Sequence, residues 1–166
     1  MDSICEEAGV TKGCFFHHFK SKEEMTKEVI ERFTGDFLRA LSSGCCPGMD
    51  QDQRVYAVID GIIAMSKNPE SKGCLVGALV QESWEMHPEL RKICSQSLGR
   101  LIGSFKQNLE AVGDKRCPQK DIDRLALSFM ATVQGALILI KATGDRSIME
   151  KTLTTFKNHL RSVFGR

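Results

Sequence analysis

Apolar residues recur along this chain at helical intervals of three and four. Met25, Val29, Phe33, Phe37 and Leu41 step by four, with Ile30 and Leu38 widening the stripe. Val55, Val58, Ile59, Ile62 and Ile63 repeat the pattern, as do Ile122, Leu125, Ala126, Phe129, Met130, Val133 and Leu137. Met149, Leu153, Phe156, Leu160 and Val163 or Phe164 close the series, and no stretch sustains the alternation of a strand. The pattern predicts an all-α protein with helices near residues 2–8, 12–18, 22–43, 51–66, 74–87, 89–112, 119–143 and 146–164. Ser21 to Glu24 has the form of a capping box, Asp50 suits an N-cap, and Thr11 sits where an N-cap is needed. Pro88 and Pro118 fall where a first turn accepts them, and Gly113 and Gly144 suit C-terminal stops. No flexible linker interrupts the chain. The boundary between a small N-terminal unit, residues 1–33, and the remainder, 34–166, is therefore expected inside the long helix that starts after Ser21.

Composition narrows the class. The 166 residues, 42% hydrophobic and 27% charged, suffice for one full domain with a small module attached. A net charge of +2 neither marks a polyanion-coating protein nor excludes a local basic patch. The apolar run at 136–140 is cut by Lys141, too short to span a bilayer, and the first residues lack the basic-then-apolar pattern of a secretory signal. A cytoplasmic protein without a membrane partner is expected. Seven cysteines form no CxxC pair and no zinc-finger spacing with histidine, which fits reduced thiols.

Residues 1–22 carry the most information. A short helix ends at Gly9, free to take the left-handed conformation of a tight turn, and Val10 is expected to point into a small core with Ile4, Ala8, Phe15 and Phe19. Between Thr11 and Lys22 stand three lysines and no acid, although the flanking segments are rich in Glu. An acid-free stretch at a helix start suits phosphate contact, against the plainer reading of a solvated helix. Turn, cap and core coincide here, which favours the helix-turn-helix.

Residues 8–23, AGVTKGCFFHHFKSKE, closely resemble the recognition-helix signature of the TetR family of transcriptional regulators, A-G-V-S/T-x-G-x-L/F-Y/F-x-H/Y-F-x-S/T-K-E. The resemblance implies a homodimeric DNA-binding regulator, a repressor released by a small-molecule effector, with double-stranded operator DNA as partner. Its DNA contacts would be Thr11, Lys12, Gly13, Cys14, Phe16, His17, His18 and Lys22. Phe16 departs from the Tyr common in the family, which removes a phosphate hydrogen bond. The family also carries a helix before the one that starts at Asp2, and Met1 falls where an internal Met or Ile is common, so a further amphipathic helix upstream is expected. The first rival reading is a helical dimer that, without that helix, no longer binds DNA. The second is a carrier or enzyme on the same bundle.

The remainder resembles the family's ligand-sensing and dimerising domain more weakly. Residues 73–82, GCLVGALVQE, look like the central helix of a subgroup with G-C-L-x-x-N/A-L-x-x-E. Met65, Trp84, Met86, Phe105, Phe129 and Met130 are candidates to line an apolar pocket, the alternative for each being core packing. Cys74 stands near a helix start with Lys72 two residues earlier, a setting that favours thiolate, and relatives of this subgroup respond to electrophiles or oxidants through cysteine. Cys74 is thus either a sensor, with Lys141 a candidate neighbour, or an inert core thiol. The two last helices, within 119–164, would dock on a second copy as a four-helix bundle, with Gln134, Gly135 and Ala136 permitting close approach. His87 is expected to cap the end of its helix, and neither it nor His159 has the partners of a metal or catalytic site. No enzyme, cofactor or metal is expected.

Overall fold

The computed structural model describes residues 1–44, 48–83, 85, 87–113 and 118–164. Among them are eight helices and no strand: α1 (Asp2–Glu7), α2 (Lys12–His18), α3 (Lys22–Ser43), α4 (Gln51–Lys67), α5 (Leu75–Ser83), α6 (Pro88–Gly113), α7 (Gln119–Thr143) and α8 (Ser147–Phe164). The all-α expectation holds, and most ends fall where the caps placed them. Thr11 accepts the Cys14 N–H through its hydroxyl, and Asp50 and Gln53 form a reciprocal capping box. Gly144 stops α7 at φ +75°, its N–H donating to the Ile140 carbonyl.

Four local expectations need correction. At Ser21 the box is shifted by one residue: its hydroxyl accepts the Glu24 N–H at 3.1 Å, while the Glu24 carboxylate accepts the Lys20 N–H at 2.6 Å. Lys20 lies in the sharp link between α2 and α3, where its N–H has no helical acceptor. Helix α5 ends at Ser83 instead of reaching His87, the residue before Pro88, which is disfavoured in the helical region. His87 instead opens α6, its carbonyl accepting the Arg91 N–H at 2.9 Å, so it does not cap the preceding helix. Pro118 is the N-cap of α7 and not part of its first turn, whereas Pro88 is the first residue of α6.

The main core is built by α4, α6, α7 and α8. Phe105 stacks on Phe129 with ring centroids 3.8 Å apart, and Phe156 completes the trio at 5.5 Å from Phe129. The stripes predicted for α4, α7 and α8 are buried almost throughout. That of α3 is not: Val29 is exposed, and Met25, Phe33, Phe37, Leu38 and Leu41 are only half-buried. Instead α3 is moored to α6 by Ile30 packed with Cys94 and Val76 of α5, by a buried hydrogen bond between the Thr34 and Ser97 hydroxyls, and by a Glu31–Arg100 ion pair.

Measured over its whole length rather than over residues 136–140, α7 is long and apolar enough to cross a bilayer, which corrects the sequence expectation. A core helix passes the same test, and α7 packs Ile122, Leu125, Ala126, Phe129, Met130 and Val133 inside. Its opposite face leaves Leu127, Ile138 and Leu139 exposed.

Candidate nucleic-acid interface and internal cavity

The N-terminal unit turns at Gly9, φ +65°, and Thr11 enters α2 in extended conformation. Its small core differs from the one expected. Cys5 and Phe15 are buried, Ile4 and Phe19 half-buried, but Ala8 is exposed and Val10 is 40% exposed. The chain between Gly9 and Thr11 is held by the Val10 N–H donating to the Cys5 carbonyl at 2.9 Å, and this backbone bond leaves the Val10 side chain at the surface.

At 100° per residue, Gly13 and His17 lie opposite the buried Phe15, with Lys12 and Phe16 on one flank and Cys14 and His18 on the other. All six are exposed, as are Thr11 and Lys22 in the first turn of α3, so the eight sequence candidates are all open to solvent, those on α2 spread around the sides of the helix that Phe15 does not occupy. Their surroundings are not free of acid. Lys12 Nζ pairs with the Asp2 carboxylate across the turn at 2.6 Å, a contact that sequence distance conceals. The hydrogen bond and the charge of Lys12 hold the Asp2 carboxyl below its usual value, and Asp2 in turn pushes the Lys12 ammonium up. Both side chains remain largely in water, so the pair is readily exchanged for another anion.

A cavity of about 780 Å³ lies between α3, α4, α6, α7 and the start of α5. Of the predicted pocket residues, Met65, Cys74, Phe105, Phe129 and Met130 line it, and Trp84 and Met86 lie outside the described residues. The half-buried Phe33, Phe37, Leu38 and Leu41 of α3 form another wall, which explains their incomplete packing. Lys141 does not line the cavity; it is exposed, and its Cε would lie 3.6 Å from a side chain added at Gly73. Lys141 lies one turn beyond the cavity-lining Leu137 on the same face of α7, beside Gly73 in the segment that precedes α5.

Cys74 stands at the start of α5, as its position in the sequence implies. Its carbonyl accepts the Ala78 N–H at 3.0 Å and its Sγ the Gly77 N–H at 3.4 Å, so the thiol sulfur itself caps the helix. Cys94 packs in the same cluster; burial first, and the neighbouring Cys74 second, push its thiol up and favour the protonated form. Cys45, Cys46 and Cys117 lie outside the described residues.

Two polar residues of this region, Arg146 and Asn108, escaped the sequence reading, and a third, Gln134, was read there for another role. Arg146 donates to the carbonyls of Ser66, Pro69 and Ser71, pinning the α4–α5 connection, one wall of the cavity, to the turn before α8. Asn108 and Gln134 reach the cavity from α6 and α7. Gln134 had a signal, being a polar residue four after Met130 on an apolar face. Beside it, Ala136 is buried, while a side chain at Gly135 would meet open space.

Comparison with known proteins gives a consistent answer over both parts. Residues 1–29 match the family of bacterial regulatory proteins, tetR family, and residues 52–156 match the tetracyclin repressor-like C-terminal domain. An uncharacterised HTH-type transcriptional regulator from the lacX 3′ region of Lactococcus lactis subsp. lactis is 26% identical over 98% of this chain and 83% of its own length. The HTH-type transcriptional repressor DhaR of Mycobacterium sp. strain GP1 is 25% identical over 93% of this chain and 78% of its own. A crystal structure of a TetR regulator from Chloroflexus aurantiacus superposes with a TM-score of 0.82, at 21% identity, over 95% of this chain and 81% of that one. With both of its parts matched, the chain belongs to the TetR family of bacterial regulatory proteins.

Proposed function

We propose that this protein is a homodimeric transcriptional repressor of the cytoplasm that binds operator DNA through α2 and the start of α3 and is released when a small molecule occupies the internal cavity. The observation that carries the reading is the double role of α3. Its first turn supplies Lys22 to the exposed basic surface, and three to five turns later the same helix presents Phe33, Phe37 and Leu41 to the cavity. An occupant pressing on those side chains acts on the helix that positions the DNA-facing unit, and so favours one of two dimer geometries. Thr11, Lys12, Gly13, Cys14, Phe16, His17, His18 and Lys22 are the DNA-contacting set, with Lys12 leaving Asp2 for a phosphate. The exposed apolar Leu127, Ile138 and Leu139 of α7, with the half-buried Gly135 among them, are the docking face for a second copy. The rival of a dimer that ignores DNA is disfavoured by the match of residues 1–29 to the DNA-binding part of the family.

The test is a titration of duplex DNA carrying a selected site, followed by fluorescence anisotropy with and without effector. Nanomolar binding that effector reverses supports the reading, and binding insensitive to every cavity ligand contradicts release. Cys74 as a covalent sensor is a separable part of the proposal, since it both lines the cavity and caps α5. If Cys74→Ser protein leaves DNA as readily as wild type on treatment with a mild electrophile, the thiol is structural and non-covalent occupancy alone acts.

A further inference from the structure

Taking the cavity as the effector site, as proposed above, we infer that its ligand is an uncharged, mainly apolar molecule bearing a hydroxyl, carbonyl or amide group, and that the Asn108 and Gln134 carboxamides select it. The walls are apolar, with Phe33, Phe37, Phe105 and Phe129 supplying flat surfaces and Met65 and Met130 adaptable ones. Among the described residues, charged side chains meet the cavity only at its margin: Arg54, Glu70 and Lys72 are all exposed. An ionised ligand would therefore lose its hydration with no buried partner to replace it.

Besides Ser42, Ser66, Ser71 and Ser104, of which Ser42 and Ser66 spend their hydroxyl protons on backbone carbonyls, two half-buried carboxamides interrupt this lining. Asn108 donates one N–H to the Ser104 carbonyl at 3.0 Å, and Gln134 reaches only the Met130 sulfur, a weak acceptor, at 3.7 Å. No described residue donates to the carbonyl oxygen of either. Each carboxamide thus offers an acceptor and a spare N–H to whatever fills the cavity, a hydrogen-bonding capacity that a pure hydrocarbon would leave unmet. Gly77 makes room for this arrangement. A side chain there would stand 2.2 Å from Gln134 Oε1, so α5 has no side chain at the one point where the amide passes it.

The probes are 1-naphthol, naphthalene and 1-naphthoate, titrated into the intact dimer without DNA at neutral pH and read by calorimetry. Naphthol is expected to bind at least about tenfold more tightly than naphthalene, and naphthoate not at all. Asn108→Leu and Gln134→Leu should each weaken naphthol by about tenfold and leave naphthalene unchanged. Gly77→Ala, which displaces the amide while keeping Gln134, should reproduce the Gln134→Leu effect in a protein whose helical circular dichroism matches wild type. Naphthoate binding as tightly as naphthol, variants that bind naphthol normally, or no binding of any probe at millimolar concentration would each overturn the inference. The repressor reading fails separately: naphthol that binds but never releases DNA counts against release and leaves the selectivity standing. Release by anionic aromatics alone would do the reverse.

Discussion

Lys12 illustrates what single residues of the DNA-facing unit reveal and conceal. Its exposure and its place after the Thr11 cap are legible in the sequence, because caps and turns are decided by residues three or four apart. Its ion pair with Asp2 is not, since ten positions of chain and a left-handed Gly9 separate them. The same limit applies to Val10, whose apolar side chain suggested a core position that the turn does not provide. If Lys12 exchanges Asp2 for a phosphate, Asp2→Asn should tighten DNA binding by about threefold at low salt, a small gain as befits an exposed pair. Lys12→Ala and Lys22→Ala should each weaken binding alike on all sequences and lower the magnitude of the salt slope by about one. Salt titrations of the four proteins decide the matter, and unchanged slopes in both alanine variants would remove α2 as the docking element.

At the level of elements, periodic stripes located α3, α4, α7 and α8, and caps and turns the other four; the stripes of α4, α7 and α8, buried almost throughout, were the clearest. The cavity was legible only in part: Met65, Phe105, Phe129 and Met130 were pocket candidates, but the α3 wall was missed, because a half-buried Phe37 facing the cavity and a buried Phe156 packed in the core occupy the same helical pattern. Polar mooring was equally hidden. Thr34 lies fully buried in α3, donating to the Ile30 carbonyl at 2.7 Å and so left to accept from Ser97. Thr34→Val should strand the Ser97 hydroxyl and destabilise the fold by about 1–3 kcal/mol, measured by urea unfolding. It should also loosen α3 from α6 and blunt the effect of effector on DNA affinity; unaltered stability would mean the hydrogen bond contributes nothing. Gly144→Ala tests the end of α7. Space is available there, but φ +75° is unfavourable for a residue with a side chain, so a loss of about 1 kcal/mol is expected.

For the whole molecule, the proposed function requires two surfaces to act together: the DNA-facing unit and a docking face for a second copy on α7. The exposed Leu127, Ile138 and Leu139 predict a dimer at micromolar concentration by sedimentation velocity, and Ile138→Glu should yield a folded monomer. A wild-type monomer would contradict the assigned face. The function itself is tested most directly by selecting binding sites for the intact protein from random duplex DNA and titrating the enriched sequence. The account predicts an inverted repeat whose half-sites lie about one helical turn apart, matching a two-fold dimer. It further predicts strong salt dependence and loss of binding with the doubly substituted Lys12→Ala, Lys22→Ala protein. Absence of enrichment, or an enriched site still bound normally by that double variant, would contradict it.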